Sequence, residues 1–274
     1  MNELSIQEFG PVLMLAFVGA TLRYMILAGL TFYVGYMRQP PAGMRKLQPR
    51  WPDARQIRHE IRYSAQTMLV FSAVGTGVWL AYRGGYTRMY EPWDAYGWGY
   101  WVLTLLLQLV VHDTYFYWMH RLLHRPWWFR HVHYVHHRSH NPTPWAANAF
   151  HPVEALLQAG GFTFIILLLP ISLSAVLLFS FFIITMNVIG HSGYEFLPDD
   201  FERHWMGKWL GSSTHHNRHH QYSRGNFGFY FNLWDRLMKT DLRAKQEQHT
   251  DPTFSKKRAR SSFPARRIHI PKNY

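Results

Sequence analysis

Eighteen histidines stand in this chain of 274 residues, and fifteen of them fall between His112 and His220. Their spacing points to metal chemistry. In the run DTYFYWMHRLLH, at about 100° per residue of helix, Asp113, Tyr117, His120 and His124 share one stripe. That stripe carries a carboxylate, a phenol and two imidazoles four residues apart, able to face one ion or two neighbouring ions. HYVHH supplies His133, His136 and His137, and HNRHH supplies His216, His219 and His220. Positions i, i+3 and i+4 lie on one helical face, so each run offers three imidazoles in one direction. One ion rarely takes more than six ligands, so eight convergent imidazoles imply two ions. Imidazole suits iron, zinc, copper or nickel, and near neutral pH it needs little deprotonation to bind. Asp113 and Tyr117 are the candidate catalytic groups, and Asp113 is placed to accept the spare ring N–H of a ligand histidine.

The remaining histidines read differently. A lone histidine is more often a hydrogen-bonded structural residue, and a His-rich tract can be a weak metal buffer. His112 and His131 lie off their stripes, and His215 points about 100° from His216. His140 directly precedes Asn141-Pro142, where a helix should end. His151 precedes Pro152 and Glu154, a helix-start pattern with acid in the first turn. His191 closes a long apolar run and reaches the same edge as the other groups, which makes it a ninth ligand candidate.

Long apolar elements must position these groups. Runs at 12–36, 67–82 and 98–118 read as spans, and 155–190, broken at Pro170, reads as a hairpin whose first arm falls short of a full crossing. Arg23 sits inside the first run, which is too long for the apolar region of a signal peptide. Loop 37–66 carries seven basic and two acidic residues, whereas 83–97 carries two of each. By the positive-inside rule the amino terminus lies outside and loop 37–66 and the carboxyl end lie in the cytoplasm. The expected fold is all-α: one integral-membrane domain, a multi-pass helical bundle with a cytoplasmic histidine-rich cap over 119–152 and 191–240 and a basic tail at 241–274. Basic charge beside spans suits anionic headgroups, so the net charge of +13 is assigned to membrane contact and nucleic acid is excluded. The absence of cysteine excludes disulfides, thiolate metal sites and iron–sulfur clusters.

From about Gln56 to Thr240 the chain resembles the fatty acid hydroxylase/sterol desaturase superfamily. The resemblance rests on HRLLH, HYVHH and HNRHH in order, on Asp113 and Tyr117, and on PTPWAANAFHPVEALLQ, HSGYE and NFGFYFNLWDRLMKT. Two of these flanks, at 142–158 and 226–240, look most like sterol-5-desaturases. The resemblance implies metal ligation by His120, His124, His133, His136, His137, His216, His219 and His220, with His191 at a further ligand position. In some relatives that position pairs with a histidine four residues on; here Glu195 stands there, which leaves the last ligand open among Glu195, His151, His215 and water.

The implied activity is an O2-dependent desaturase or hydroxylase of a sterol-like or fatty acyl lipid, with two iron ions as cofactor and zinc possible in preparations. Cleaving an unactivated C–H bond needs a redox metal, which zinc is not. Electrons are expected from an external donor, a b-type cytochrome or a ferredoxin with its reductase. The expected location is a bacterial inner membrane or the endoplasmic reticulum. A metal transporter or sensor predicts ligands strung within spans, and a b-type cytochrome predicts two or four axial histidines there. Neither explains boxes that follow span ends.

Overall fold

Capping chemistry and prolines set the helix boundaries that position the histidines. The computed structural model describes residues 6–38 and 40–243. Helix α1 (Ile6–Phe32) runs into a π-turn at Tyr33–Met37. Helix α2 (Ala54–Arg83) starts where the Asp53 carboxylate accepts from the Gln56 N–H at 2.8 Å. Helix α3 (Gly97–Leu123) ends at His124, at the mouth of the second box. That box is built from short turns: α4 (Pro126–Trp128), a π-turn at Phe129–His133, and α5 (Tyr134–His137). Helix α6 (Pro152–Leu168) begins with proline at its first turn and with His151 as its cap. After Pro170, Ser172 caps α7 (Leu173–Gly190), and Ser212 caps α8 (Ser213–Tyr222). A short α9 (Leu233–Leu237) follows. The only sheet among the described residues pairs β1 (Arg45–Lys46) antiparallel to β2 (Tyr194–Glu195).

The all-α class therefore holds, with adjustments to the spans. Three helices are long and apolar enough to cross a membrane: Glu8–Met37, Ala54–Arg83 and Leu173–Gly190. The segment predicted as the third span does form α3, but it is not among them. Gln108, His112, Asp113 and a run of tryptophans and tyrosines lower its mean hydropathy. At 17 residues α6 is about 25 Å long, short of a hydrocarbon core of about 30 Å, as expected for the first hairpin arm. The chain divides at Thr240/Asp241, where the predicted basic tail begins. Beyond residue 243 that tail lies outside the described residues.

Packing brings the helices together around the segment 142–150. Tyr24, Ala28, Met68, Ala147, Ile184 and Val188 form one apolar cluster joining α1, α2 and α7. The Trp145 carbonyl accepts from the hydroxyls of Tyr24 (2.7 Å) and Ser64 (2.9 Å), and Thr143 donates to buried Glu60. These bonds tie the PTPWAAN stretch to α1 and α2. Gly161 lets α3 and α6 close on each other, because a Cβ there would collide with the Tyr115 ring. A second cluster, Phe116, Met119, Leu123 and Val132, packs the second box against the end of α3.

Candidate metal centre

Nine histidines gather into two groups whose ligand atoms lie within 4.8 Å of one another. His120, His124, His133, His137 and His219 form the first; His136, His191, His216 and His220 form the second. These are the nine positions expected from sequence, but each HxxHH run is divided between the groups. The i and i+4 members, His133 with His137 and His216 with His220, stay together. The i+3 members, His136 and His219, cross to the other group. Successive residues turn by about 100°, so i and i+4 differ by about 40° while i+3 sits about 60° to the other side. The single-face reading is corrected accordingly: each run straddles both groups and couples them.

The Nε2 atoms face one another. In the first group His120 and His133 are 3.2 Å apart, His124 and His219 3.2 Å, and His137 and His219 3.0 Å. In the second, His136 and His191 are 3.2 Å apart, His191 and His216 2.9 Å, and His216 and His220 3.2 Å. Two facing imidazole nitrogens need one proton between them, and His120 and His133, whose Nδ1 atoms each face an acceptor, have none left for the 3.2 Å contact of their Nε2 atoms. A cation at their centre resolves this. Metal–imidazole bonds of about 2.0–2.1 Å put neighbouring ligand nitrogens about 2.8–3.0 Å apart in an octahedral shell and about 3.3–3.4 Å apart in a tetrahedral one, which brackets the distances here. The residues therefore fit a metal pair.

Four of the other ring nitrogens meet acceptors in the surroundings, while Nδ1 of His136, His216 and His220 is buried with no hydrogen-bond partner. Nδ1 of His120 meets the Phe227 carbonyl at 2.9 Å, that of His219 the Gly225 carbonyl at 2.7 Å, and that of His191 the Asn187 carbonyl at 2.8 Å. Nδ1 of His133 meets Glu154 Oε1 at 2.8 Å, with both side chains buried. A carbonyl or carboxylate there accepts from Nδ1–H, which keeps the proton on Nδ1 and leaves the Nε2 lone pair for a metal. Burial, reinforced by neighbouring imidazoles, holds His133, His136, His137, His216, His219 and His220 well below the ordinary histidine range. Burial likewise lowers His191 to about 4 and His124 to about 2. All eight are thus neutral near pH 7, as ligands must be.

The role expected for Asp113 needs correction. Its carboxylate accepts from the backbone N–H groups of Tyr230 (2.8 Å) and Phe231 (3.2 Å), and no histidine is among its partners. Asp235 does the same for Phe227 (2.9 Å) and Gly228 (2.7 Å). Together they hold the loop that presents the Phe227 carbonyl to His120. Tyr117, the other catalytic candidate, is buried with its hydroxyl 3.0 Å from Thr240 Oγ1, away from both histidine groups. The carboxylate that does touch a ligand candidate is Glu154. In the sequence it reads only as first-turn acid; its complete burial against His133 is decided by the packing of α6 and left no local signal.

The residues left open as a last ligand are also placed. Glu195 accepts from the Thr214 N–H (2.8 Å) and hydroxyl (2.5 Å) at the start of α8. His151 caps α6, and His215 faces Asp235 at 3.9 Å. None belongs to either group. His131 is exposed and bonded to the Trp127 carbonyl, and His140 is exposed. His112 is buried among Phe116, Phe179, Phe229 and Tyr230.

Beside the histidines lies a cavity of about 450 Å³, walled mainly by apolar side chains of α1, α2, α6 and α7. Phe116 and Phe150 line it, and the same rings pack on His120 (5.1 Å between centroids) and His136 (4.9 Å). One aromatic ring thus separates the cavity from each histidine group.

A buried nine-histidine centre beside an apolar cavity, on a helical frame, defines a class of membrane-associated metalloenzyme, and comparison with known proteins gives the family. Residues 105–240, which contain both histidine groups, match the fatty acid hydroxylase family. The chain is 31% identical over 229 residues to a Delta(7)-sterol 5(6)-desaturase of Gibberella zeae, covering 84% of this chain and 68% of that one. It is 28% identical to a Delta(7)-sterol 5(6)-desaturase of Aspergillus fumigatus (82% and 73% covered) and 26% identical to lathosterol oxidase of Rattus norvegicus (85% and 75%). The chain belongs to the fatty acid hydroxylase/sterol desaturase superfamily, and within it is most like the sterol-5-desaturases. It is an oxidoreductase of the lipid desaturase and hydroxylase class. No solved structure matches it.

Proposed function

We propose that this chain is a membrane-embedded di-iron oxygenase that desaturates or hydroxylates a sterol-like or fatty acyl lipid. The observation that carries the reading is the facing of nine Nε2 atoms in two sets at polyhedral spacing, one aromatic ring from an apolar cavity. His120, His124, His133, His137 and His219 would hold one ion, and His136, His191, His216 and His220 the other. Bound there, iron supplies the redox chemistry that activates dioxygen for C–H cleavage, which zinc cannot supply.

The chain's own residues do the rest. The cavity receives the lipid and excludes water, and Phe116 and Phe150 set how closely a lipid carbon approaches the ligand shell. Glu154 and the carbonyls of Phe227, Gly225 and Asn187 hold the ligand protons on Nδ1. For desaturation, a –CH2–CH2– unit, dioxygen, two electrons and two protons give –CH=CH– and two waters. For hydroxylation, one C–H becomes C–OH with one water released. The electrons come from a separate donor, a b-type cytochrome or a ferredoxin with its reductase. The sterol-5-desaturase likeness favours desaturation. The basic loops support a cytoplasmic histidine end by the positive-inside rule, within reach of a soluble reductant.

Lipid profiling tests this. Cells making the active chain should accumulate a lipid two hydrogens lighter or one oxygen heavier than its precursor, and cells making His219→Ala should not. Identical lipid profiles under aerobic growth with iron supplied would overturn the reading.

A further inference from the structure

One charged side chain in the cavity takes no part in the chemistry above. Arg23 lies in the middle of α1, inside a segment apolar enough to span a membrane, and it lines the cavity. Its Nη1 donates to Ser180 Oγ on α7 at 2.9 Å. Its Nε is buried with no hydrogen-bond partner, and no carboxylate lies within ion-pair distance of it among the described residues. A guanidinium at such depth is costly and ordinarily marks a functional site, facing a partner that accepts from it. Here one arm of the fork has a neutral hydroxyl and the buried Nε–H has no partner, on a side chain that lines the cavity. Its donors suit an acceptor oxygen, a hydroxyl or best a carboxylate.

Position then matters. Ser180 precedes His191 by eleven residues along α7, which at the helical rise is about 16 Å. The histidine groups lie at the His191 end, beyond Phe116 and Phe150. We propose that Arg23 is a specificity-determining residue that binds the polar oxygen of the lipid substrate inside the cavity. This rests on the oxygenase reading for the word substrate, but the binding step stands independently of turnover.

The test uses the metal-loaded, full-length protein in nanodiscs and two fluorescent lipids, dehydroergosterol for a hydroxyl and cis-parinaric acid for a carboxylate. Each is compared with its capped form, the O-methyl ether and the methyl ester. At least one free probe should bind the wild type, and capping its oxygen should weaken binding about tenfold. Arg23→Gln should weaken the free probe by a similar factor and the capped probe hardly at all. Arg23→Lys should recover part of the loss. Which probe obeys this pattern tells hydroxyl from carboxylate. Metal content and melting temperature of Arg23→Gln check that the frame is intact, and the capped probes on wild-type protein decide the matter if that variant does not fold. Binding of neither free probe, or free and capped probes binding alike, overturns the proposal. So does a well-folded Arg23→Gln with unchanged affinities. A protein that shows the binding pattern and yet oxidises no lipid would sink the oxygenase reading and leave Arg23's role standing.

Discussion

Glu154 and Asp113 are both buried carboxylates near the histidines, and they do different work. Glu154 touches His133 directly, so it governs the proton state and basicity of a ligand. Asp113 holds two backbone N–H groups, so it governs the rigidity of the loop around Phe227. Replacing each by alanine separates the two. Glu154→Ala should lower metal affinity or activity by roughly 10–100-fold, with Glu154→Gln closer to wild type because an acceptor remains. Asp113→Ala leaves two buried donors without their acceptor and should destabilise the fold by about 1–3 kcal/mol, read as a lower melting temperature. Metal titration and thermal unfolding of the three variants check this; equal metal affinities for Glu154→Ala and wild type would remove Glu154 from the centre. Residue identity was legible in advance for eight of the histidines because their spacing is local, and for His191 because it closes an apolar run. The partner of His133 was not, since Glu154 is 21 residues away and meets it only through the packing of α6.

At the scale of elements, close approach matters more than propensity. Gly161 admits the Tyr115 ring between α3 and α6, so Gly161→Ala should push the two helices apart and cost about 1–3 kcal/mol through overpacking. Gly77 in α2 has open space where a Cβ would stand, and Gly77→Ala should be neutral or slightly stabilising. Melting temperatures of the two variants should move in opposite directions or differ by several degrees; equal shifts would contradict the described α3–α6 contact. Apolar runs and proline gave the helices and the hairpin break at Pro170. They overstated α3, whose polar residues serve the loop and the cavity, and they could not tell that a run of three histidines divides between two groups. That division depends on where the facing runs sit, which only the tertiary fold decides.

For the whole molecule, two shared histidine groups require the three histidine runs to end at one membrane face. The hairpin α6–α7 leaves from the second run and returns at His191, which brings the third run back to the same end. A reporter inserted within 84–90 should therefore read outside, and one after Tyr274 inside. A carboxyl-terminal reporter on the outer face would contradict the orientation drawn from the basic loops.

Two histidine groups should hold two ions, and the number of metal ions bound per chain decides whether they do. Protein purified reduced with iron supplied should hold about two ions per chain, read by elemental analysis against a quantified protein concentration. His219→Ala and His220→Ala, one from each group, should each lower that number, while His131→Ala should leave it unchanged because its ring is exposed and bonded elsewhere. A reproducible value of one ion in the intact chain, or a loss in His131→Ala equal to that in His219→Ala, would contradict it.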